Sequence, residues 1–134
     1  MAFRILDKLG MPADEIATVC SAIGNHDEST AFPVNAVAAA LILADKTDVR
    51  RTRVRNRDKA TFDIHDRVNY AVEKASTTLD AAGKAVVLDL QLDTGMSPVI
   101  DYFEIFLERM LLCRKAAEKL GLSFRLVVNG QTVL

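Results

Sequence analysis

Two histidines, each followed by an aspartate, stand out in a chain of 134 residues: His26-Asp27 in "AIGNHDEST" and His65-Asp66 in "TFDIHDRV". An imidazole and a carboxylate in series offer the nitrogen and oxygen donors that a first-row divalent cation accepts. A third group bears on the first pair. Asp45 follows nine apolar residues, Ala36 to Ala44, in what reads as a buried helix. An ionised carboxylate in apolar surroundings must be paired, hydrogen-bonded or bound to a metal. Its partner is left open among Lys46, an arginine of the following basic run, and a cation shared with His26. If the preceding helix packs antiparallel, Asp45 lies about 18 Å along the axis from the His26 loop. A shared metal then requires a bent helix, a loop that folds back or a later helix start. For the second pair, Asp63 or Asp66 is explained as the N-terminal cap of the next helix and His65 as a surface residue.

The elements that must position these groups follow from periodicity and punctuation. A helix is expected from Ala2 to about Gly10, with Phe3, Ile5, Leu6 and Leu9 apolar, and a second from about Asp14 to Ile23. Pro33 can open a third, because proline is tolerated in a first turn. That helix is apolar on every side through Ala44, the mark of an element packed all round. "KTDVRRTRVRNRDK", Lys46 to Lys59, sets seven basic residues against Asp48 and Asp58 and reads as a solvated helix end and loop. A fourth helix is expected over 66–82, with Val68, Ala71, Val72, Ala75 and Leu79 on one side. In "KAVVLDLQLD" the period becomes two, as in a half-buried strand. Ser97-Pro98 opens a long helix that ends at Gly121, its core face being Val99, Ile100, Phe103, Phe106, Leu107, Met110 and Leu111. "SFRLVV", Asn129-Gly130 and "QTVL" form a hairpin with a two-residue turn. The class is α+β, mainly helical, with a helical part over 1–60 and a strand-helix-hairpin extension over 61–134.

Bulk properties narrow the function. Half the residues are apolar and the net charge is -1, which excludes disorder and disfavours general affinity for nucleic acid or anionic membrane. The longest apolar run is far short of a membrane span, and "MAFRILDKLGMPADE" is charged and amphipathic rather than a secretory signal, so a cytoplasmic protein is expected. Cys20 and Cys113 fall on apolar helical faces and read as small buried hydrophobes.

With these residues in view, the sequence resembles the HD superfamily of metal-dependent phosphohydrolases, whose signature is a histidine, a His-Asp pair and a distant aspartate on a helical bundle. "AIGNHDESTAFPVNAVAAALILADKTDVRRTR" is similar to the later half of that signature. The resemblance spans about residues 1–57, and residues beyond it resemble the C-terminal extension of an uncharacterised branch. It implies HD-domain-like helices, with Asp45 as the terminal metal-binding aspartate and His26 as an additional ligand histidine. Asp27 stands where certain branches carry a second histidine. The cation implied is Mn, Mg, Ni, Fe or Zn in a complete enzyme.

The first histidine and the His-Asp pair precede "AFRILDKLG" in that family, and this sequence begins there. His65-Asp66 comes after the terminal aspartate, in the wrong order. The expectation is therefore a partial HD-type phosphohydrolase, with little or no turnover by this chain alone. Lys46, Arg50 and Arg53, just past Asp45, are the candidate phosphate-binding residues for a small phosphorylated molecule. Loss of covering helices predicts a homodimer or higher homo-oligomer, through the apolar helical face or an open sheet edge. The alternative of another class is a non-catalytic dimerisation or anion/nucleotide-binding module. RNA contact through "RRTRVRNR" is disfavoured by the near-neutral charge and the lack of interleaved aromatics.

Overall fold

The computed structural model describes residues 1–27 and 29–134. The elements are α1 (Ala2–Lys8), α2 (Ala13–Gly24), α3 (Ala36–Lys46), α4 (Ile64–Ala71), β1 (Val72–Asp80), β2 (Ala85–Leu92), α5 (Val99–Lys119), β3 (Ser123–Val128) and β4 (Gln131–Thr132). Short 3-10 turns at Arg51–Arg53 and Lys59–Thr61 punctuate the basic run. The strands form one sheet in the order β1-β2-β3-β4, antiparallel at its two outer pairings and parallel between β2 and β3. The α+β class is as expected.

The two-residue period of β2 sends Val86, Leu88, Leu90 and Leu92 to one face, and Phe124, Leu126 and Val128 of β3 join them there. α5 lies over this face. Its Tyr102, Phe106, Met110, Cys113 and Ala116 are buried, and the Tyr102 hydroxyl donates to Met110 Sδ at 3.7 Å. The same core takes in Ala39, Ile42 and Leu43 of α3, so residues on both sides of position 60 share one apolar interior. α5 ends in a Schellman-type stop: Leu122 N–H donates to Ala117 C=O, with Gly121 at φ +72.

Four expectations are corrected. Residues 66–82 are not one helix. α4 stops at Ala71 and β1 follows at once, its ladder to β2 running from Val72↔Leu92 to Asp80↔Ala85 with a bulge at Glu73. β1 gave no strand signal because most of its side chains are exposed and show no alternation, while its i, i+3, i+4 apolar spacing imitated a helix. The unit is therefore hairpin-helix-hairpin rather than strand-helix-hairpin. α3 starts at Ala36, not Pro33, because Asn35 caps it by accepting from Ala38 N–H at 2.8 Å. Nor is α3 packed all round: Ala36, Val37, Ala40 and Ala44 are exposed. On α5, Ile100 and Leu107 face solvent at 71% and 44% exposure, and Tyr102, Leu112 and Cys113 take core positions instead.

Asn129 ties the last hairpin to the sheet. With Gly130 it forms the tight turn, both at positive φ (50° and 81°), which suits Asn-Gly. Its side-chain amide accepts from Leu92 N–H at 2.8 Å and donates to Leu92 C=O at 3.1 Å, continuing the β2–β3 ladder with a side chain. Asn129→Ala forfeits both bonds and strains the left-handed position, so chemical denaturation should register a loss of about 2 kcal/mol. Asn129→Gly, which relieves the strain and loses only the bonds, should lose about 1 kcal/mol.

Candidate functional site

The distance between His26 and Asp45 depends on how α2 and α3 pack. Val37, in the first turn of α3, lines a crevice with Asp14, Glu15, Thr18 and Val19 from the first half of α2. His26, just past the end of α2, acts electrostatically on Asp45 near the end of α3, so the two helices approach start to start and end to end and run in the same sense, not antiparallel. Asn25 and Phe32 come together, Phe32 N–H donating to Asn25 C=O at 3.1 Å, and Ala31 packs against the core beside Leu111 and Leu112 of α5. This arrangement carries His26, just past the end of α2, to the end of α3 that holds Asp45. A folded-back loop and a later helix start are both present.

His26 is half-buried, and its Nδ1 lies 2.6 Å from Ile23 C=O. A carbonyl only accepts, so Nδ1 carries the proton and Nε2 keeps its lone pair in the neutral ring. Metal-bound histidines are commonly oriented by such a bond. Asp27 is exposed, and its backbone carbonyl accepts from Thr30 N–H.

Asp45 is not the buried carboxylate expected. Its side chain is 37% exposed, while that of Lys46 is 6% exposed and donates to Asp45 Oδ2 at 2.6 Å. Residual burial pushes the Asp45 carboxyl up. The hydrogen bond and charge of Lys46, joined by the charges of His26 and Arg109, outweigh it and hold the group below its ordinary value. Arg109 reaches this corner from α5, its guanidinium 4.9 Å from the Phe106 ring centroid. Beneath lies Cys113, whose thiol is pushed up to about 12 by burial and is inert as a nucleophile. Sequence reading missed Arg109: no local pattern marks it, since it stands 64 positions from Asp45 and meets it only through the α3–α5 packing.

The other candidates divide. Lys46 is committed to the Asp45 corner rather than projecting to solvent. Arg50 and Arg53, one 3-10 turn apart, both bind Asp48: Arg50 Nε at 2.5 Å from Oδ1, and Arg53 Nη1 at 3.0 Å from the backbone carbonyl. No ion pair among the described residues joins either to Asp45. Beside them lies an open groove of about 490 Å³ between the end of α3 and β1, lined by Leu43, Ala44, Thr47, Asp48, Arg50, Ala75 and Thr77. Arg55 and Arg57 are exposed, as a solvated loop would have them, while Arg51 and Lys59 are held at Tyr70. Arg51 donates to Tyr70 C=O at 2.8 Å and stacks on the Tyr70 ring, which Lys59 also approaches at 4.6 Å. Asp63 caps α4 by accepting from Asp66 N–H, and His65 is exposed, as expected. Cys20 is half-buried and Cys113 fully buried.

His26 and Asp45 match a divalent cation in donor type but not in number. Among the described residues no cluster of three or more His, Cys, Asp or Glu side chains is placed to hold one. Nor is any described helix long and apolar enough to cross a membrane.

The lowered Asp45 carboxyl links this corner to pH. A group depressed on folding contributes stability above its unfolded value, near pH 4, and loses it as pH falls through the folded value. Because Asp45 is more than a third exposed, solvent screens the effect. Asp45→Asn should lower stability at pH 7 by up to about 1 kcal/mol, a difference that closes as the pH is taken below about 4 in urea titrations.

No protein-family model matches the chain, and neither a curated protein nor a solved structure matches it significantly, so the roles of these residues rest on their own geometry.

Proposed function

We propose that this chain carries the later part of an HD-type, metal-dependent phosphohydrolase site, with His26 and Asp45 as divalent-cation ligands and Asp27 in the outer shell. The observation that carries the reading is the same-sense packing of α2 and α3, which brings an imidazole with a free Nε2 into electrostatic reach of Asp45. The cation is of the Mn, Mg, Ni, Fe or Zn type; when bound, it would acidify a coordinated water for attack on a phosphoester. Two protein donors fall short of the four to six such ions take, so water or further polypeptide must complete the shell. Lys46 competes with the cation for Asp45 Oδ2, which makes binding by this chain weak and its turnover negligible. Lys46 and Arg109 supply the positive charge that a phosphate oxygen would meet, and Arg50 and Arg53 a second cationic pair, shared with Asp48. Two unpaired thiols accord with a reducing, cytoplasmic setting.

Calorimetric titration with Mn²⁺ and Ni²⁺ tests this. A weak site is expected, with a dissociation constant near 1 mM, and at least tenfold weaker in both His26→Ala and Asp45→Ala. Binding indifferent to both substitutions would remove the proposal.

A second reading is favoured by the groove beside Arg50: a non-catalytic module that binds an anion or nucleotide, with Leu43, Ala44 and Ala75 as apolar lining and an anion competing with Asp48 for Arg50. Arg50→Glu would then weaken retention of inorganic pyrophosphate or ATP about tenfold while leaving Mn²⁺ titration unchanged. Equal retention by the variant would rule this reading out.

A further inference from the structure

The sheet has two edges of unequal length. β4 is two residues long, whereas β1 runs for nine and is bonded on one side only. Among the described residues, Glu73 to Asp80 make no backbone hydrogen bond except to β2. The strand's core face is also uncovered at its far end. Leu79 pairs with Val86 and so points to the face that α5 covers elsewhere, yet it is 66% exposed. A long strand with unmet amides and carbonyls and an uncovered leucine is a template for another strand.

The side chains select one such strand. Successive residues alternate faces, so Ala75, Thr77 and Leu79 share the core face, and Lys74, Ser76, Thr78 and Asp80 the outer one. Lys74 and Asp80 have opposite charge and are equidistant from Thr77. We propose that β1 pairs with β1 of a second copy of this chain, antiparallel and centred on Thr77, so that Lys74 of each copy faces Asp80 of the other. Leu79 then meets Ala75 of the other copy on the core face, Ser76 meets Thr78, and Thr77 meets itself. A shift of the centre to Ser76 would oppose Asp80 to Val72 and Lys74 to Thr78. Centring on Thr78 would oppose Asp80 to Ser76 and run Lys74 beyond the strand. Only the Thr77 register matches charge with charge and apolar with apolar. Asp80 is already held within its own chain, Oδ1 accepting from Gly83 N–H at 2.9 Å and Oδ2 lying 3.6 Å from Arg125, but its side chain is 36% exposed, so Lys74 of the other copy would come to it as a second cation. A lysine on an edge ordinarily deters pairing. Here it deters other strands and admits this one. The two sheets become a single eight-stranded sheet with a two-fold axis at Thr77. This inference is independent of the metal reading.

Register-specific cross-linking of the full chain in a Cys20→Ser background tests it, the remaining Cys113 being wholly buried. Sedimentation at up to about 1 mM chain should show dimers. Thr77→Cys should form a disulfide-linked dimer on mild oxidation at least about tenfold faster than Ser76→Cys or Thr78→Cys alone, while the latter two, mixed, should link to each other. Lys74→Asp, which sets like charges opposite, should weaken dimerisation about tenfold or more. A monomer throughout that range overturns the proposal. So does a dimer in which Thr77→Cys links no faster than its neighbours, which would place the contact on another surface, such as the exposed Phe3, Ile5 and Leu9 of α1.

Discussion

Burial of one face of β2 and β3 beneath α5 is the constraint on which the rest of this protein depends. Leu88, Leu90, Leu126, Met110 and Cys113 are fully buried there, each side chain contributing about 1.5–3 kcal/mol of transfer free energy as an upper figure. The parallel pairing of β2 with β3 requires a crossover, and α5 is that crossover, so topology and core are one requirement. α3 joins by setting Ala39, Ile42 and Leu43 into the same interior. Once that contact is made, the end of α3 is fixed against the middle of α5, and Asp45, Lys46 and Arg109 are gathered at one corner.

That corner shows how a charged group is accommodated at the rim of a core. The residue taken out of water is Lys46, not Asp45. A lysine stem can lie along apolar neighbours while its ammonium reaches back to the carboxylate at the surface. The pairing leaves Asp45 accessible, as a ligand would need, and also gives any cation a competitor. Donor number and Lys46 limit what this corner can hold, whereas the row of backbone groups left unpaired along β1 lies across the groove from the end of α3.

The helical layer is covered unevenly. α1 buries no residue, and Phe3, Ile5, Leu9, Phe32 and Val37 are exposed alongside it and α3. The return loop shields part of this layer by laying Ala31 on α5. The basic run, by contrast, meets more than water: Tyr70 gathers Arg51 and Lys59, and Asp48 gathers Arg50 and Arg53. Of the seven basic residues read as a solvated helix end and loop, Lys46, Arg50, Arg51, Arg53 and Lys59 are paired or stacked, and Arg55 and Arg57 are exposed.

By itself the sequence determined the elements whose signals are local. The alternation of "VVLDLQL", the Asn-Gly turn, the long helix closing at Gly121 and the cap at Asp63 are short-range effects of side-chain period, positive φ and orphaned helix donors. Tertiary structure decided whatever depends on a distant partner. β1 is a strand because β2 supplies its hydrogen bonds, although Val68, Ala71, Val72, Ala75 and Leu79 are spaced as on a helix. The rotation of α5 was settled by what the sheet and α3 present to it, which no periodicity within the helix encodes. His26 and Asp45 were legible as donor types, but their nearness, the burial of Lys46 and the presence of Arg109 follow from two helices lying side by side in the same sense, a choice made by packing and not by any residue between them.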